Sequence, residues 1–318
     1  MIKNTHRQIA CEGWRQGLVV AGFGRHVLVE TSEGPRLICH PRGKKGQALV
    51  GDNVRWLPTE DEGTIEKIDE RKNVFYRQDE LRTKSFAANL DQILILIAAE
   101  PEFSESQLTR ALIAAEAAGI TPIIALNKSD LVEPFGRAWT KLAPYRAMGY
   151  QTLKLAIKPR ADPGLNAAQT AELMTLLSDK KTLVLGPSGS GKSSLTNLLI
   201  PAAKVLTAEI SHALNSGKHT TTSTTLYWVD AARTTALIDS PGFQEFGLHH
   251  IEPMQLAQLM PDFKAHAQSC KFYNCTHLHE PGCSVISEVN SGEGSTNIGA
   301  NRYRLYSELF AELSQTRY

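Results

Sequence analysis

The stretch GPSGSGKS at residues 186–193 constrains this chain most, because it fits the pattern G-x-x-x-x-G-K-[ST]. The apolar run KTLVLG (181–186) precedes it and GKSSLTNLLI (191–200) follows, which predicts a strand, a loop and a helix in that order. Glycines let the backbone N–H groups of such a loop curl around phosphate oxygens, and the start of the helix adds partial positive charge. The stretch therefore predicts a phosphate-binding loop. A chance glycine-rich loop is the alternative, and the strand and helix on either side argue against it.

Within this loop, Lys192 is expected to reach the β- and γ-phosphates of a nucleotide, and the Ser193 hydroxyl to bind Mg²⁺. The residues assigned to nucleotide binding are Gly186, Pro187, Ser188, Gly189, Ser190, Gly191, Lys192, Ser193 and Ser194.

The stretch NKSD (127–130) ends a second apolar run, ITPIIALN (120–127). An Asp carboxylate at Asp130 accepts two hydrogen bonds from guanine, and adenine lacks that donor pair. Lys128 is expected to lay its aliphatic stem along the base. A solvated turn explains the stretch equally well by itself, but the phosphate loop in the same chain favours guanine recognition. The residues assigned to this loop are Asn127, Lys128, Ser129 and Asp130.

DSPG (239–242) also ends a predicted strand. Asp239 is expected to hold the Mg²⁺ shell through water, and the Gly242 N–H to meet a γ-phosphate. A plain turn is the alternative, since Pro-Gly pairs favour turns.

The polar stretch SGKHTTTSTT (216–225) lies between the phosphate loop and DSPG. Thr220 or Thr221 is the candidate for completing the Mg²⁺ shell, and spacing alone does not choose between them. Many GTPases place a Gln directly after D-x-x-G to orient the attacking water, whereas this chain has Phe243 there. His219 is therefore the candidate catalytic residue, with a surface histidine as the alternative.

The guanine loop precedes the phosphate loop, which reverses the usual order. In a parallel α/β sheet the loops at the strand ends meet in space whatever their order in the chain. A domain can be cut and rejoined where its original termini lie close. The order therefore predicts a circularly permuted GTPase domain, cut after D-x-P-G.

The chain divides into three segments. Residues 1–85 hold five short β-like runs, which favour a small closed barrel of the OB type. Residues 86–247 carry the α/β pattern, with DQILILIAA as a buried strand and a helix capped by Ser104 and Gln107. Residues 248–318 look helical, and their small size predicts a metal staple in place of a large core.

That third segment contains Cys270, Cys275, His277 and Cys283, a set of ligands that suits tetrahedral Zn²⁺ in a closed, structural site. His279 is the second choice for the imidazole, and three reduced core cysteines are the alternative. Cys11 and Cys39 are expected to be inert barrel residues.

Charge and hydropathy limit the location and partners. Net charge is +1, and no apolar run approaches the ~18 residues of a membrane span. An odd number of cysteines and a first stretch without a signal-peptide core predict a cytoplasmic protein. The loop HPRGKKG (40–46) concentrates positive charge and is a candidate rRNA contact, with a solvated turn as the alternative.

The chain resembles the RsgA/YjeQ family of circularly permuted GTPases. The resemblance rests on GRHVLVETSEG, VGDNVRW, AANLDQ, NKSD, GPSGSGKSSLTN, GKHTTT, DSPGF and the Cys/His spacing. It implies an OB-fold, a permuted GTPase domain and a C-terminal zinc domain. It also implies GTP hydrolysis stimulated by the 30S subunit during late maturation of that subunit. His219 matches the catalytic histidine of the family.

The implied partners are the 30S subunit with its 16S rRNA, and GTP or GDP, for a chain expected to be monomeric. The segment TLKLAIKPRADPGL (152–165) lacks the Ser usual in the family's second base-contacting loop, so its contacts stay open. Two other functions compete: a GTP-dependent RNA-binding module whose hydrolysis is incidental, and an ATPase or kinase. NKSD argues against the latter.

Overall fold

The computed structural model of this chain describes residues 13–24, 26–43, 46–59, 62–79, 83–157, 166–203, 224–243, 245–290 and 298–315. In this part of the chain, no helix combines the length and the apolar character needed to cross a bilayer.

The first unit is a closed five-stranded barrel. Its strands are β1 (Arg15–Phe23), β2 (His26–Thr31), β3 (Arg36–Pro41), β4 (Asn53–Pro58) and β5 (Gly63–Ile68). β1 pairs with both β2 and β4, and β3 pairs with β5 in parallel, so the order β1-β2-β3-β5-β4 closes on itself. The fully buried Trp56 fills the interior and donates its indole N–H to the Gln16 carbonyl at 3.3 Å. All five predicted strands and the OB-type barrel are confirmed.

A hairpin that the sequence did not predict connects the barrel to the next unit. Its strands are β6 (Val74–Gln78) and β7 (Thr83–Ala88), which form a separate two-stranded sheet. The hairpin spans the predicted boundary at residue 85. Phe75 and Phe86 pack against each other and against Phe246, with ring centroids 5.6–6.3 Å apart. This packing fixes the hairpin on the core of the α/β unit.

The α/β unit is built on a twisted sheet of six strands. They are β8 (Gln92–Ala98), β9 (Thr121–Asn127), β10 (Gln151–Lys154), β11 (Lys181–Leu185), β12 (Thr225–Trp228) and β13 (Ala236–Asp239). Their order is β10-β9-β8-β11-β13-β12, and only β12 runs antiparallel to its neighbour. Every residue of β8 is buried, as its continuous apolar run predicts. β12 also pairs with β1 through Thr225 and Ala21, which joins this sheet to the barrel.

In the described part of this unit, five helices accompany these strands. They are α1 (Glu105–Ala117), α2 (Val132–Lys141), α3 (Ala143–Ala147), α4 (Ala167–Leu177) and α5 (Lys192–Leu199). The Ser104 hydroxyl accepts from the Gln107 N–H at 3.3 Å, so α1 begins with the predicted cap. The sequence analysis missed α2, α3 and α4, together with the four-residue strands β10 and β12.

The C-terminal segment is helical. It contains a 3-10 helix (Pro253–Leu259), α6 (Pro261–Ala267), α7 (Ser284–Asn290) and α8 (Ala300–Leu313). The stretch EPMQLAQLMPDF (252–263), part of the segment expected to be helical, forms two helices, because Pro261 cannot donate a backbone hydrogen bond and begins α6. Phe263, Tyr306 and Leu309 join the same apolar cluster as Leu108 of α1. The segment therefore shares the core of the α/β unit and does not bury a large core of its own. The expected metal staple stays a prediction.

A buried arginine of this segment connects two of its helices to α1. Arg302 of α8 is 4% exposed and donates to both carboxylate oxygens of Asp262, at 2.9 and 3.1 Å. It also donates to the Thr109 hydroxyl on α1 at 2.8 Å. Arg302 thus holds α8, α6 and α1 together, through its ion pair with Asp262 and its hydrogen bond to Thr109.

Candidate nucleotide site and metal cluster

Three loops meet at one edge of the parallel sheet. NKSD follows β9, GPSGSGKS follows β11 and DSPG follows β13, and the carboxyl ends of these strands lie side by side. A cavity of about 350 Å³ opens there. Its walls include Asn127, Lys128 and Asp130 from the first loop, and Gly189, Gly191 and Ser194 from the second. The predicted guanine and phosphate loops therefore line one cavity, which has the size of a small-molecule site.

Asn127 ties the two loops together. This 4%-exposed side chain donates through Nδ2 to the Ser190 carbonyl at 2.9 Å. Its Oδ1 accepts from the Lys128 N–H at 2.8 Å and from the Ile157 N–H at 3.1 Å. The side chain assigned to guanine recognition thus also fixes the phosphate loop, a role that the sequence analysis did not foresee.

Two glycines of the phosphate loop are required by its geometry. A Cβ on Gly186 would lie 2.1 Å from the Leu96 carbonyl oxygen, so only glycine fits where this loop leaves β11. Gly191 precedes α5 with φ +108°, a left-handed conformation that favours glycine, and a Cβ there would lie 2.5 Å from Asn127 Nδ2. The close approach of the two loops therefore depends on Gly191, and the packing of the start of the phosphate loop against β8 depends on Gly186.

Lys192 and Asp239 are two buried charged groups beside the phosphate loop that act on each other's pKa. Lys192 is 7% exposed, and its Nζ donates to the Gly186 and Pro187 carbonyls at 2.8 Å each. Burial lowers the pKa of Lys192, while the Asp239 carboxylate acts to raise it. Burial raises the pKa of Asp239 to about 6, against the opposing effect of Lys192.

Two buried oxygen atoms at this site lack partners. Asp239 Oδ1 and Ser190 Oγ have no hydrogen-bond partner among the described residues. Buried polar atoms are nearly always hydrogen-bonded, so such orphans point to a missing ligand. A divalent cation beside Asp239 and a phosphate group beside Ser190 would supply such partners, so these residues fit Mg²⁺ with a nucleotide.

Hydrogen bonds to neighbouring segments hold the guanine loop in place. Lys128 has φ +69° and donates its Nζ to the Glu100 carbonyl. The Ser129 N–H donates to the Leu155 carbonyl at 2.9 Å, and Gln169 Nε2 lies 3.5 Å from Ser129 Oγ. Leu155 and Ile157 belong to the segment 152–165 whose contacts the sequence left open. Its described part supports the loop through backbone hydrogen bonds.

The DSPG loop leads directly into the core. A Cβ on Gly242 would lie 3.2 Å from Lys192 Nζ, so this glycine sits close to the phosphate loop. Phe243 is 4% exposed and packs edge-on against Phe246, with ring centroids 5.4 Å apart. Phe243 is therefore a core residue and has no group that could orient water. The predicted switch residues His219, Thr220 and Thr221 lie outside the described residues.

The four predicted metal ligands converge in the C-terminal segment. The ligand atoms of Cys270, Cys275, His277 and Cys283 all lie within 4.8 Å of one another. His277 Nδ1 is 3.5 Å from Cys270 Sγ and 3.4 Å from Cys283 Sγ, and these two sulfurs are 3.8 Å apart. The alternative ligand His279 is exposed and lies outside this cluster. The group could hold a metal ion.

Hydrogen bonds fix the loop that carries these ligands. On α8, Tyr303 donates its hydroxyl to the His277 carbonyl and Tyr306 to the Thr276 carbonyl, each at 2.9 Å. Burial raises the pKa of Cys275 to about 12, so a bound cation would have to displace its proton. In the barrel, Cys39 is fully buried and burial raises its pKa to about 11, which agrees with an inert thiol. Cys11 lies outside the described residues.

Comparisons with a family model and with known proteins point to the same family. The model of the RsgA GTPase family matches residues 68–249. Over 302 residues, the chain is 70% identical to the small ribosomal subunit biogenesis GTPase RsgA of Variovorax paradoxus (strain S110), covering 95% of this chain and 93% of that protein. The protein of the same name from Paraburkholderia xenovorans (strain LB400) is 49% identical over 304 residues, covering 94% and 93%.

Two solved structures have the same architecture. The crystal structure of YjeQ from Thermotoga maritima superposes with a TM-score of 0.70 and 30% identity, covering 96% of this chain and 100% of that one. The crystal structure of YloQ, described as a circularly permuted GTPase, gives a TM-score of 0.68 and 27% identity, covering 98% and 100%.

Proposed function

Since this chain belongs to the RsgA GTPase family, and is therefore a GTP-hydrolysing enzyme with a circularly permuted GTPase fold, we propose that it acts in biogenesis of the small ribosomal subunit. The convergence of the guanine and phosphate loops on one cavity, bridged by Asn127, is the observation that supports GTP as the nucleotide. The names of the relatives support the ribosomal role. We further propose that the 30S subunit stimulates turnover, and that the protein checks late maturation.

We assign one task to each unit. Residues 1–85 bind 16S rRNA in the 30S subunit, residues 86–247 bind and hydrolyse GTP, and residues 248–318 form the zinc domain. The loop HPRGKKG (40–46) of the barrel supports rRNA binding only in part. Arg42 already pairs with Glu66 at 2.8 Å, and Lys44 and Lys45 lie outside the described residues. A cytoplasmic, monomeric protein fits these tasks.

Within the nucleotide site the roles follow from chemistry. Asp130 accepts the guanine donor pair, and Lys192 and the backbone N–H groups of the phosphate loop hold the phosphates. Ser193, Asp239 and either Thr220 or Thr221 would hold Mg²⁺, which supplies positive charge to the phosphate oxygens when bound. His219 positions the attacking water, since Phe243 is buried.

The experiment that tests this function is GTP turnover with and without added 30S subunits. We expect slow turnover by the protein alone and a large increase with 30S subunits. If 30S subunits bind but leave turnover unchanged, the protein is a GTP-dependent RNA-binding module whose hydrolysis is incidental.

Asp130→Asn should weaken GTP binding and relax the preference for guanine. The guanine donor pair loses a charged acceptor worth roughly 1.5–3 kcal/mol, or about 10- to 150-fold in affinity. Equilibrium binding of GTP, ATP and xanthosine triphosphate measures the effect. Xanthosine triphosphate serves as the internal control, because its C2 carbonyl can accept from the new amide and its binding should improve. An unchanged preference for guanine over adenine would remove Asp130 from this role.

We expect one tightly bound Zn²⁺ per chain. Tetrahedral Zn–S bonds of about 2.3 Å separate two sulfur ligands by roughly 3.8 Å, which matches the distance between Cys270 Sγ and Cys283 Sγ. Cys275→Ser should lower the zinc content and increase hydrogen exchange around 270–290, with GTP affinity nearly unchanged, because α8 and α6 still pack on α1. Elemental analysis and hydrogen exchange measure both effects.

Cys39→Ala is the matched control for the zinc prediction. It removes a buried thiol from the barrel and should keep one zinc per chain. Purified wild-type protein without zinc, and with three titratable thiols in the C-terminal segment, would contradict the assignment.

A further inference from the structure

The barrel and the α/β unit share one buried carboxylate. Glu30 of β2 is 5% exposed, and its Oε2 accepts from Arg36, its partner on the neighbouring strand β3, at 2.9 Å. Its Oε1 accepts the indole N–H of Trp228 at 2.7 Å and lies 3.3 Å from Arg233 Nη1. We call these four residues the Glu30 joint. The barrel thus binds one carboxylate oxygen, and the α/β unit binds the other.

The two residues from the α/β unit lie on strand β12 and on the turn that follows it. Trp228 ends β12, and Arg233 has φ +57°, a left-handed conformation that persists in a non-glycine residue only where the surroundings fix it. The Asp230 carboxylate fixes this turn by accepting from two backbone N–H groups, at 3.1 and 2.7 Å. A Cβ on Gly34, in the turn between β2 and β3, would lie 2.9 Å from Arg233 Nη2. The two turns therefore come close together, which holds Arg233 within reach of Glu30.

The other end of β12 reaches the nucleotide site. Thr225, its first residue, is buried and lies opposite Ala21 of barrel strand β1 on one side and opposite Asp239 of β13 on the other. The Gly22 N–H also donates to the Thr224 carbonyl at 3.3 Å. One row of the sheet therefore runs from the barrel through β12 to Asp239, whose Oδ1 lacks a partner among the described residues.

The Glu30 joint strengthens an otherwise short attachment of β12 to the barrel. In the described part of the chain, the ladder between β1 and β12 holds one residue pair, Ala21 and Thr225. The joint adds hydrogen bonds to a charged acceptor at the opposite end of β12, and such bonds are roughly twice as strong as neutral ones. On its far side, β13 pairs with β11 through Asp239 and Val184. The sheet therefore holds Asp239 without the barrel, and the joint matters for what the barrel passes on to β12.

We propose that Glu30 is a positioning residue for the stimulated reaction. It fixes β12 to the barrel, so that a partner bound to the barrel acts on Asp239 through this strand. The inference deepens the proposed function and rests on it, because the partner is the 30S subunit and the readout is GTP hydrolysis. Without the joint, the barrel could stay bound to the subunit while β12 no longer follows its position.

The test compares GTP turnover at saturating 30S subunits with turnover in their absence. Glu30→Leu removes the carboxylate and should lower the stimulated kcat by at least about 5-fold, the lower end of typical coupling between two sites. Basal kcat and the KM for GTP should stay unchanged, because β11 still holds Asp239. Glu30→Gln should recover part of the stimulated kcat, since its Oε1 can still accept from Trp228. In the free protein, hydrogen exchange in β12 should be faster in Glu30→Leu than in wild type.

Glu66→Leu is the matched control in the barrel. The Glu66 side chain is 10% exposed and pairs with an arginine of the barrel itself, so its loss should leave the stimulated kcat unchanged. Trp228→Phe breaks the joint from the α/β unit and tests the proposal even if Glu30→Leu does not fold. It should also lower the stimulated kcat. Glu30→Leu/Trp228→Phe should be no slower than Glu30→Leu, because both changes break the same joint.

The outcomes separate coupling from a structural role. A lower stimulated kcat with unchanged basal turnover supports the proposal. An unchanged stimulated kcat in Glu30→Leu overturns it, and so does an equal loss of the basal and stimulated rates. If 30S subunits leave the turnover of the wild-type protein unchanged, the proposed function is contradicted instead. Hydrogen exchange then still tests the joint, because faster exchange in β12 of Glu30→Leu supports the role of Glu30 and unchanged exchange overturns it.

Discussion

Arg302→Met is expected to destabilise the C-terminal segment by roughly 3–5 kcal/mol, because it leaves the Asp262 carboxylate buried without its cation. The side chains of Arg302 and Asp262 are only 5% and 10% exposed, so water cannot replace the lost partner. Thr109 also loses a hydrogen-bond donor. Urea unfolding, followed together with hydrogen exchange in α8 and α6, measures the loss.

Arg304→Met is the matched control for this prediction. Arg304 lies on the same helix and pairs with Glu308, but the two side chains are 58% and 56% exposed. Its loss should change stability by no more than about 0.5 kcal/mol. Arg302→Met/Asp262→Leu should recover much of the stability, because it removes both buried charges together. A single variant as stable as wild type would show that water reaches Asp262.

The second large effect concerns His219. His219→Ala should retain GTP binding and 30S binding but lose most of the turnover that 30S subunits stimulate. A side chain that positions water or handles a proton contributes roughly 10²–10⁴-fold. The variant should also remain longer on the subunit, since the GTP-bound state persists. Single-turnover hydrolysis and dissociation rates with 30S subunits measure the two effects.

His219→Gln tests the same role with a side chain that can still orient water. We expect it to recover part of the stimulated rate that His219→Ala loses. Full stimulated turnover in His219→Ala would mean that this histidine lies only at the surface. The water would then be oriented by another residue or by the ribosome.

Motifs with a fixed structural context were the most predictable parts of this protein. The phosphate loop needs a strand before it and a helix after it, and both are evident in the sequence around Gly186 and Lys192. Parallel strands then bring the loops together regardless of chain order, so the shared cavity could be expected before the structure. The OB-type barrel was predictable because glycines, prolines and charged turns separate its five short strands.

Other features depend on contacts that a local pattern does not contain. The bridge from Asn127 to Ser190 joins two loops more than sixty residues apart, and nothing near Asn127 in the sequence indicates it. The strands β10 and β12 have four residues each, too few to show the alternation of apolar and polar residues that indicates a strand. The helices of the C-terminal segment show apolar faces, but the sequence does not say that α1 covers them. His277 and His279 have similar spacing, and only the folded loop separates the buried from the exposed imidazole.

The α/β unit receives and releases its chain at a single place. Gln78, at the end of β6, accepts from the His249 N–H at 3.0 Å and donates to the Gly247 carbonyl at 3.1 Å. Strand β6, which enters from the barrel, is thus hydrogen-bonded to residues 247–249, which lead from DSPG to the C-terminal segment. In mechanical terms this makes a clamp: a pull on either flanking unit loads the same two hydrogen bonds. Force applied by a partner to the barrel would therefore reach the residues after DSPG through these two bonds, in addition to the sheet through the pairing of β1 with β12.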